Sequence, residues 1–238
     1  MSVSVSASDT LALWERAGGL APPGRALALA AYDGTDTREL ADLPVGHAHA
    51  RLLALREEAV GPELLATAAC PRCSARVEFG LDTRLLLGLH DQARAAPPAS
   101  PPAGVTSCRP PTWADLEGLE AQDDAALALL RRCVVVADDK DPADLPADVV
   151  AEIEQLMMAA DPLAELLVSS PCPECGLEFD ASVDLAAFVW AEMEAAATRI
   201  LYDVDILARA YGWTEPEVLG LSDRRRAAYL RLVLEGTP

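Results

Sequence analysis

Apolar positions along this chain recur mostly every three or four residues, the period of a helix with one buried face. In the N-terminal part, "TLALWERA" follows Asp9, read as its cap, and Gly18 and Gly19 end it. The segment "PPGRALALAAY" predicts a short apolar helix. A longer one is predicted for "PVGHAHARLLALREEAVG", where Val45, Ala48, Leu52, Leu55 and Ala59 share a face. Thr112 is placed to cap a helix carrying Trp113, Leu116 and Leu119, and "DDAALALLRRCV" predicts another. In "PADVVAEIEQLMMAAD" the stripe is Val149, Ile153, Leu156 and Ala160, read as core and not as a partner groove. The longest predicted helix covers residues 184–211, packs Leu185, Phe188, Ala196, Ile200, Val204, Leu207 and Tyr211, and stops at Gly212. Then "TEPE" reads as a capping box, and a final helix starts after Ser222 and closes at Gly236.

Two stretches break this period. Val77, Phe79 and Leu81 alternate with polar or small residues, as do Leu177 and Phe179, which predicts short strands with one buried face. Both follow a Cys-Pro-x-Cys, and "ELLATAACPRC" aligns without a gap on "ELLVSSPCPEC". The chain therefore contains a repeat: a strand, a tight two-cysteine turn and a returning strand. One such turn supplies half of a tetrahedral thiolate site. The two copies together supply a whole one, so Cys70, Cys73, Cys172 and Cys175 are expected to surround a single ion. Four protein sulfurs leave no position for water or substrate, and a closed site is structural. Zinc is the expected metal, with iron chemically possible in the same donor set. A zinc centre of this kind contributes folding free energy on the order of 10 kcal/mol in isolated peptides.

Composition sharpens this outline. Aromatic residues make up only 5% of the 238 positions, while alanine and leucine dominate, which favours helix over sheet. The expected fold is mainly α with a small β zinc ribbon, its two knuckles drawn from distant parts of the chain. Its parts are a helical region over 9–62, the first knuckle and strands over 63–90, and a proline-rich linker over 91–111. A helical insertion over 112–162, the second knuckle over 163–181 and a C-terminal helical hairpin over 182–236 complete it.

The formal charge of −19 and a pI near 4.4 argue against nucleic acid as a partner, because phosphate attraction comes from lysine and arginine. The run Arg224, Arg225 and Arg226 is read as a solvated or carboxylate-binding face. No apolar run reaches the roughly 20 residues that span a bilayer. The opening "MSVSVSASD" lacks the basic flank and apolar core of a leader, so a cytoplasmic protein is expected. In a reducing compartment, Cys-x-x-Cys spacing points to metal or redox chemistry. A redox pair places its first cysteine at a helix N-terminus, whereas here the chain continues as a strand. Cys108 and Cys133 are read as small buried hydrophobes, and His47, His49 and His90 as solvent-facing or incidental. No catalytic motif is present, so no enzyme activity and no small-molecule substrate are expected.

The stretch beginning "CPECGLEFDASVDLAAFVWAEMEAAATRILYDVDILARAYGWTEPEVLGLSDRRRAAYL", joined to the upstream "LLALREEAVGPELLATAACPRC", resembles the T4-family baseplate hub assembly chaperone-like proteins of phage-tail-like contractile injection systems. The likeness rests on the two knuckles, the Phe188 to Trp190 patch and "YGWTEPEVLGLSDRRRAAYL", in that order. Ser74 departs from the pattern, since such knuckles carry glycine after the second cysteine, as Gly176 does. The resemblance implies a non-enzymatic assembly factor whose partners are baseplate or hub proteins. A permanent baseplate component and a zinc-ribbon regulator that binds nucleic acid are the alternatives. From side-chain chemistry alone, the expected contact surface is Tyr211, Trp213, Arg225, Arg226 and Tyr229, since aromatic residues and arginine dominate interface energy.

Overall fold

The computed structural model describes residues 6–236; residues 1–5, part of the opening read above for a leader, lie outside the described residues. The chain is mainly helical with small antiparallel two-stranded sheets. It opens with α1 (Ala7–Gly18), α2 (Pro22–Ala30), a short α3 (Thr37–Ala41) and α4 (Val45–Val60). The first hairpin is β1 (Glu63–Ala69) with β2 (Arg76–Asp82), followed by α5 (Thr83–Ala95). Next come β3 (Val105–Cys108), α6 (Trp113–Leu116), α7 (Ala125–Cys133), β4 (Val134–Val136) and α8 (Ala147–Ala160). The second hairpin, β5 (Leu166–Pro171) with β6 (Glu178–Val183), leads into α9 (Leu185–Tyr211), α10 (Glu215–Leu219) and α11 (Asp223–Leu234).

The N-terminal cap is Ser6 and not Asp9. Ser6 Oγ accepts the Asp9 amide at 3.1 Å, and the Asp9 carboxylate accepts the Ser6 amide at 3.1 Å. Asp9 thus sits in the third helical position of a capping box, a role a carboxylate fills as well as the cap itself. The helix expected after Thr112 breaks at Gly118, whose φ of 70° ends α6 early and starts a single 3-10 turn.

Helix α4 is the hub. Its Ala48, Leu52 and Leu55 pack with α1, α2 and α9 around Leu29, Leu40 and Met193. Its Ala50 and Leu53 pack on the other side with Leu64 of β1, Leu86 of α5, Leu166 of β5 and Leu185. Two cores served by one helix require more than a single stripe, which is why the expected five-residue face is too narrow and why its last member, Ala59, is exposed. In α9 the buried line is Leu185, Val189, Met193, Ala197, Ile200 and Leu207. Phe188 and Ala196 flank it, and Tyr211 is exposed. Gly212, at φ 69°, ends α9, and Thr214 with Glu217 closes the capping box of α10.

Arg56 ties these layers together. With 6% exposure it donates to Glu192 of α9 at 2.8 Å, to the Gly61 carbonyl at 2.6 Å and to the Glu63 carbonyl at 2.5 Å. The α4 end, the β1 start and α9 are thereby locked by one buried, fully engaged guanidinium.

The insertion is not purely helical. Val105, at the end of the proline-rich stretch, pairs with Val136, and β3 with β4 forms a hairpin holding Cys133, Val134 and Ile153 in a core of its own. In α8, Ile153 is buried with Val149 and Met157 beside it, while Ala160 of the expected stripe is exposed. Among the described residues no helix is long and apolar enough to cross a membrane.

Candidate metal centre

Each hairpin carries its cysteines in the turn, and the two turns are built alike. In the first, the Ser74 amide donates to the Cys70 carbonyl at 2.9 Å and the Cys70 amide to the Ala75 carbonyl at 2.9 Å. In the second, the Gly176 amide donates to the Cys172 carbonyl at 2.9 Å and the Cys172 amide to the Leu177 carbonyl at 2.8 Å. The residue after the second cysteine takes the left-handed conformation in both, with φ of 59° at Ser74 and 69° at Gly176. Serine therefore accepts a geometry that costs an L-residue about 1 kcal/mol over glycine.

The hairpins pack through Leu64, Ala66, Leu166 and Val168 and bring the turns tip to tip. The ligand atoms of Cys70, Cys73, Cys172 and Cys175 all lie within 4.8 Å of one another. Both of the 3.6 Å sulfur approaches cross between the knuckles, Cys70 to Cys175 and Cys73 to Cys172. A tetrahedral ion with metal–sulfur bonds of about 2.3 Å sets its sulfurs about 3.8 Å apart, so the four cysteines fit around one ion. Val77, Leu177 and Phe179 wall the cluster on the apolar side. Cys70 and Cys172 are buried at 1% and 2% exposure, Cys175 is half-buried and Cys73 faces solvent.

The electrostatics call for a cation. Burial opposes ionisation of Cys70, but amides of Cys73 and Arg72 and the facing sulfurs bring its thiol down to about 6. At Cys73 the Ala75 amide favours the thiolate, yet burial and the other three sulfurs together push it up to about 12. Crowded sulfurs cannot all carry negative charge without a positive partner. A bound ion supplies one and draws every proton off.

The remaining residues singled out from sequence fall elsewhere. Cys133 is buried, its thiol pushed up to about 11 chiefly by that burial, and Cys108 is half-buried in β3. Tyr211, Trp213 and Tyr229 form a three-ring cluster with centroids 4.7, 4.9 and 5.7 Å apart. Arg225 is exposed one turn before Tyr229 on α11. Arg226 is placed differently from the surface expected for it: it is buried and donates to Asp203 at 3.2 Å and to Asp223 at 2.7 Å.

The histidines are a correction. His49 and His90 are buried, and His49 Nδ1 lies 2.7 Å from the Leu163 carbonyl, so that nitrogen carries the proton. His47 stacks obliquely on His90 at 5.7 Å, and Asp161 sits among them with 2% exposure. No spacing motif announces this group, because Asp161 and Leu163 arrive from a segment more than a hundred residues away; the only signal was polar residues on the apolar face of α4.

Compared with known proteins, the chain matches no family model, no curated protein and no solved structure.

Proposed function

We propose that this chain is a non-catalytic, zinc-stapled interaction protein that assists assembly of the baseplate or hub of a contractile injection particle. The observation that carries the structural half of this reading is the convergence of four cysteines 99 and 105 residues apart across the two contacts. All four donors come from protein, so an ion held there has no vacant position for substrate, and its role is to fix two hairpins together. Zinc suits the site because it is redox-inert and imposes no electronic geometry on a tetrathiolate cage. The assembly half is supported by the sequence resemblance carried by the two knuckles and the segment from Tyr211 to Leu230. The exposed edge of the Tyr211, Trp213 and Tyr229 cluster, with Arg225, is the proposed contact surface.

Elemental analysis of the purified chain and a pull-down from producing cells test the two halves separately. One zinc per chain, capture of a baseplate or hub protein, and absence of the chain from finished particles are expected. Capture undiminished in a Trp213→Ala, Arg225→Ala, Tyr229→Ala variant removes the surface, and no capture of particle proteins by the wild type removes the assembly role.

A further inference from the structure

We propose that the sulfur cluster is also a thiol switch whose oxidised form keeps the knuckles joined, through disulfides Cys70–Cys175 and Cys73–Cys172. The reading of the cluster as a metal centre underlies one part of this, the release of an ion on oxidation.

The pairing follows from two observations. Both 3.6 Å sulfur approaches cross between the knuckles, so closing each to a disulfide of about 2.05 Å needs a shift of about 1.5 Å. Each crossing pair also joins a more exposed cysteine to a buried one: exposed Cys73 with buried Cys172, half-buried Cys175 with buried Cys70. That is the arrangement of an attacked thiol and a resolving thiol. A bond inside either Cys-x-x-Cys would instead have to deform a turn held by two backbone hydrogen bonds.

The oxidant is a peroxide. The Cys73 thiolate attacks one peroxide oxygen, the O–O bond breaks, and the departing hydroxide takes a proton to become water, leaving Cys73 as a sulfenic acid. The Cys172 sulfur then attacks the Cys73 sulfur; the S–O bond breaks, the S–S bond forms, and the departing hydroxide takes a proton from solvent to become a second water. Each pair loses two electrons to one peroxide, and a second equivalent treats Cys175 and Cys70 alike. A disulfide sulfur is no longer an anionic ligand, so the ion departs. The link between the distant segments passes from metal to covalent bond, and the staple survives conditions that strip the metal.

The test treats the full-length metal-loaded chain with hydrogen peroxide, reads released metal with a chromogenic chelator, and maps disulfides by mass spectrometry of a non-reducing digest. Loss of the one bound ion is expected together with two cross-linked peptide pairs, Cys70 to Cys175 and Cys73 to Cys172, and dithiothreitol with zinc restores the starting state. A Cys73→Ser chain is expected to keep the Cys70–Cys175 link alone. Links of Cys70 to Cys73 and Cys172 to Cys175, links between chains, or sulfinic acid without disulfide overturn the proposal. If the untreated chain carries no metal, the metal-centre reading fails, and the peptide map still decides the pairing.

Discussion

The Gly46 amide donates to Asp161 Oδ2 at 2.8 Å across 115 residues of sequence. Pro44 stands at the N-cap of α4 with no side chain to offer, so Asp161 supplies the missing acceptor from the far side of the insertion. A Cβ at position 46 would lie 1.9 Å from Asp161 Oδ1 and 2.9 Å from the Ala164 amide nitrogen. Gly46→Ala is therefore expected to cost about 2 kcal/mol or more, as forced overpacking does. Asp161→Ala is expected to cost about 1–3 kcal/mol by leaving a buried amide unpaired. In the double variant the penalty of Gly46→Ala should shrink, because its nearest obstacle is gone. Urea unfolding of the four chains measures that coupling, and strict additivity would refute the direct contact.

Ser74 and Gly176 occupy the same left-handed position in the two knuckles, which makes them internal controls for each other. Ser74→Gly is expected to stabilise the chain by about 0.5–1 kcal/mol, and Gly176→Ala to destabilise it by about 1 kcal/mol. Thermal unfolding of the metal-loaded proteins reads both. Shifts of the same sign would mean the two turns are not equivalent.

Removing the metal should act through the folded chain, the state that gathers all four sulfurs around one ion. At a free ion concentration about a thousandfold above its Kd, binding to that state alone adds about 4 kcal/mol of stability. At this chain length the loss corresponds to a fall in Tm of roughly 10–20 °C, expected with a strong chelator or with Cys172→Ser. The helical content seen by circular dichroism should persist below the new midpoint, since the cores around α4 contain no cysteine.

Acid should weaken the fold through the histidines. Burial lowers His47, His49 and His90 below their ordinary value of 6.5, with the Arg94 charge adding to the effect at His47 and His90. The unfolded chain then binds more protons than the folded one as pH falls through 6.5, so stability present above that value is lost below it. Asp161 works the other way: burial raises its carboxyl, and the folded state takes up that proton more readily. Urea midpoints from about pH 7.5 to about pH 5.5 should fall, and His90→Gln should flatten the slope. An unchanged slope would show that His90 titrates alike in both states.

Arg56 offers a further check. Arg56→Met leaves Glu192 unpaired and two carbonyls without a donor, an expected loss of about 3–5 kcal/mol. Replacing Glu192 by Gln as well should recover part of it by removing the stranded charge.

Much of this architecture is legible in the sequence where the signal is local or repeated. The paired knuckles announce themselves because one eleven-residue pattern occurs twice, and the caps at Thr112, Thr214 and Ser222 because each acts within three residues. What escaped depends on distant partners. Val134, read as the tail of a helix, instead opens β4 because β3 pairs back on it and on the two valines that follow. His49 and His90 looked incidental because the Asp161 and Leu163 that surround them belong to another segment. The width of the buried face of α4 could not be read from α4 alone, since it is set by two cores arriving from opposite sides.

The distance along the chain between the two knuckles also sets a timetable for synthesis. At about 5–20 residues per second, the 99 residues from Cys73 to Cys172 take roughly 5–20 seconds to emerge from the ribosome. For that interval the leading hairpin waits with half a coordination shell, and the nascent chain's first two sulfurs stand open to any competing thiophile in the cell.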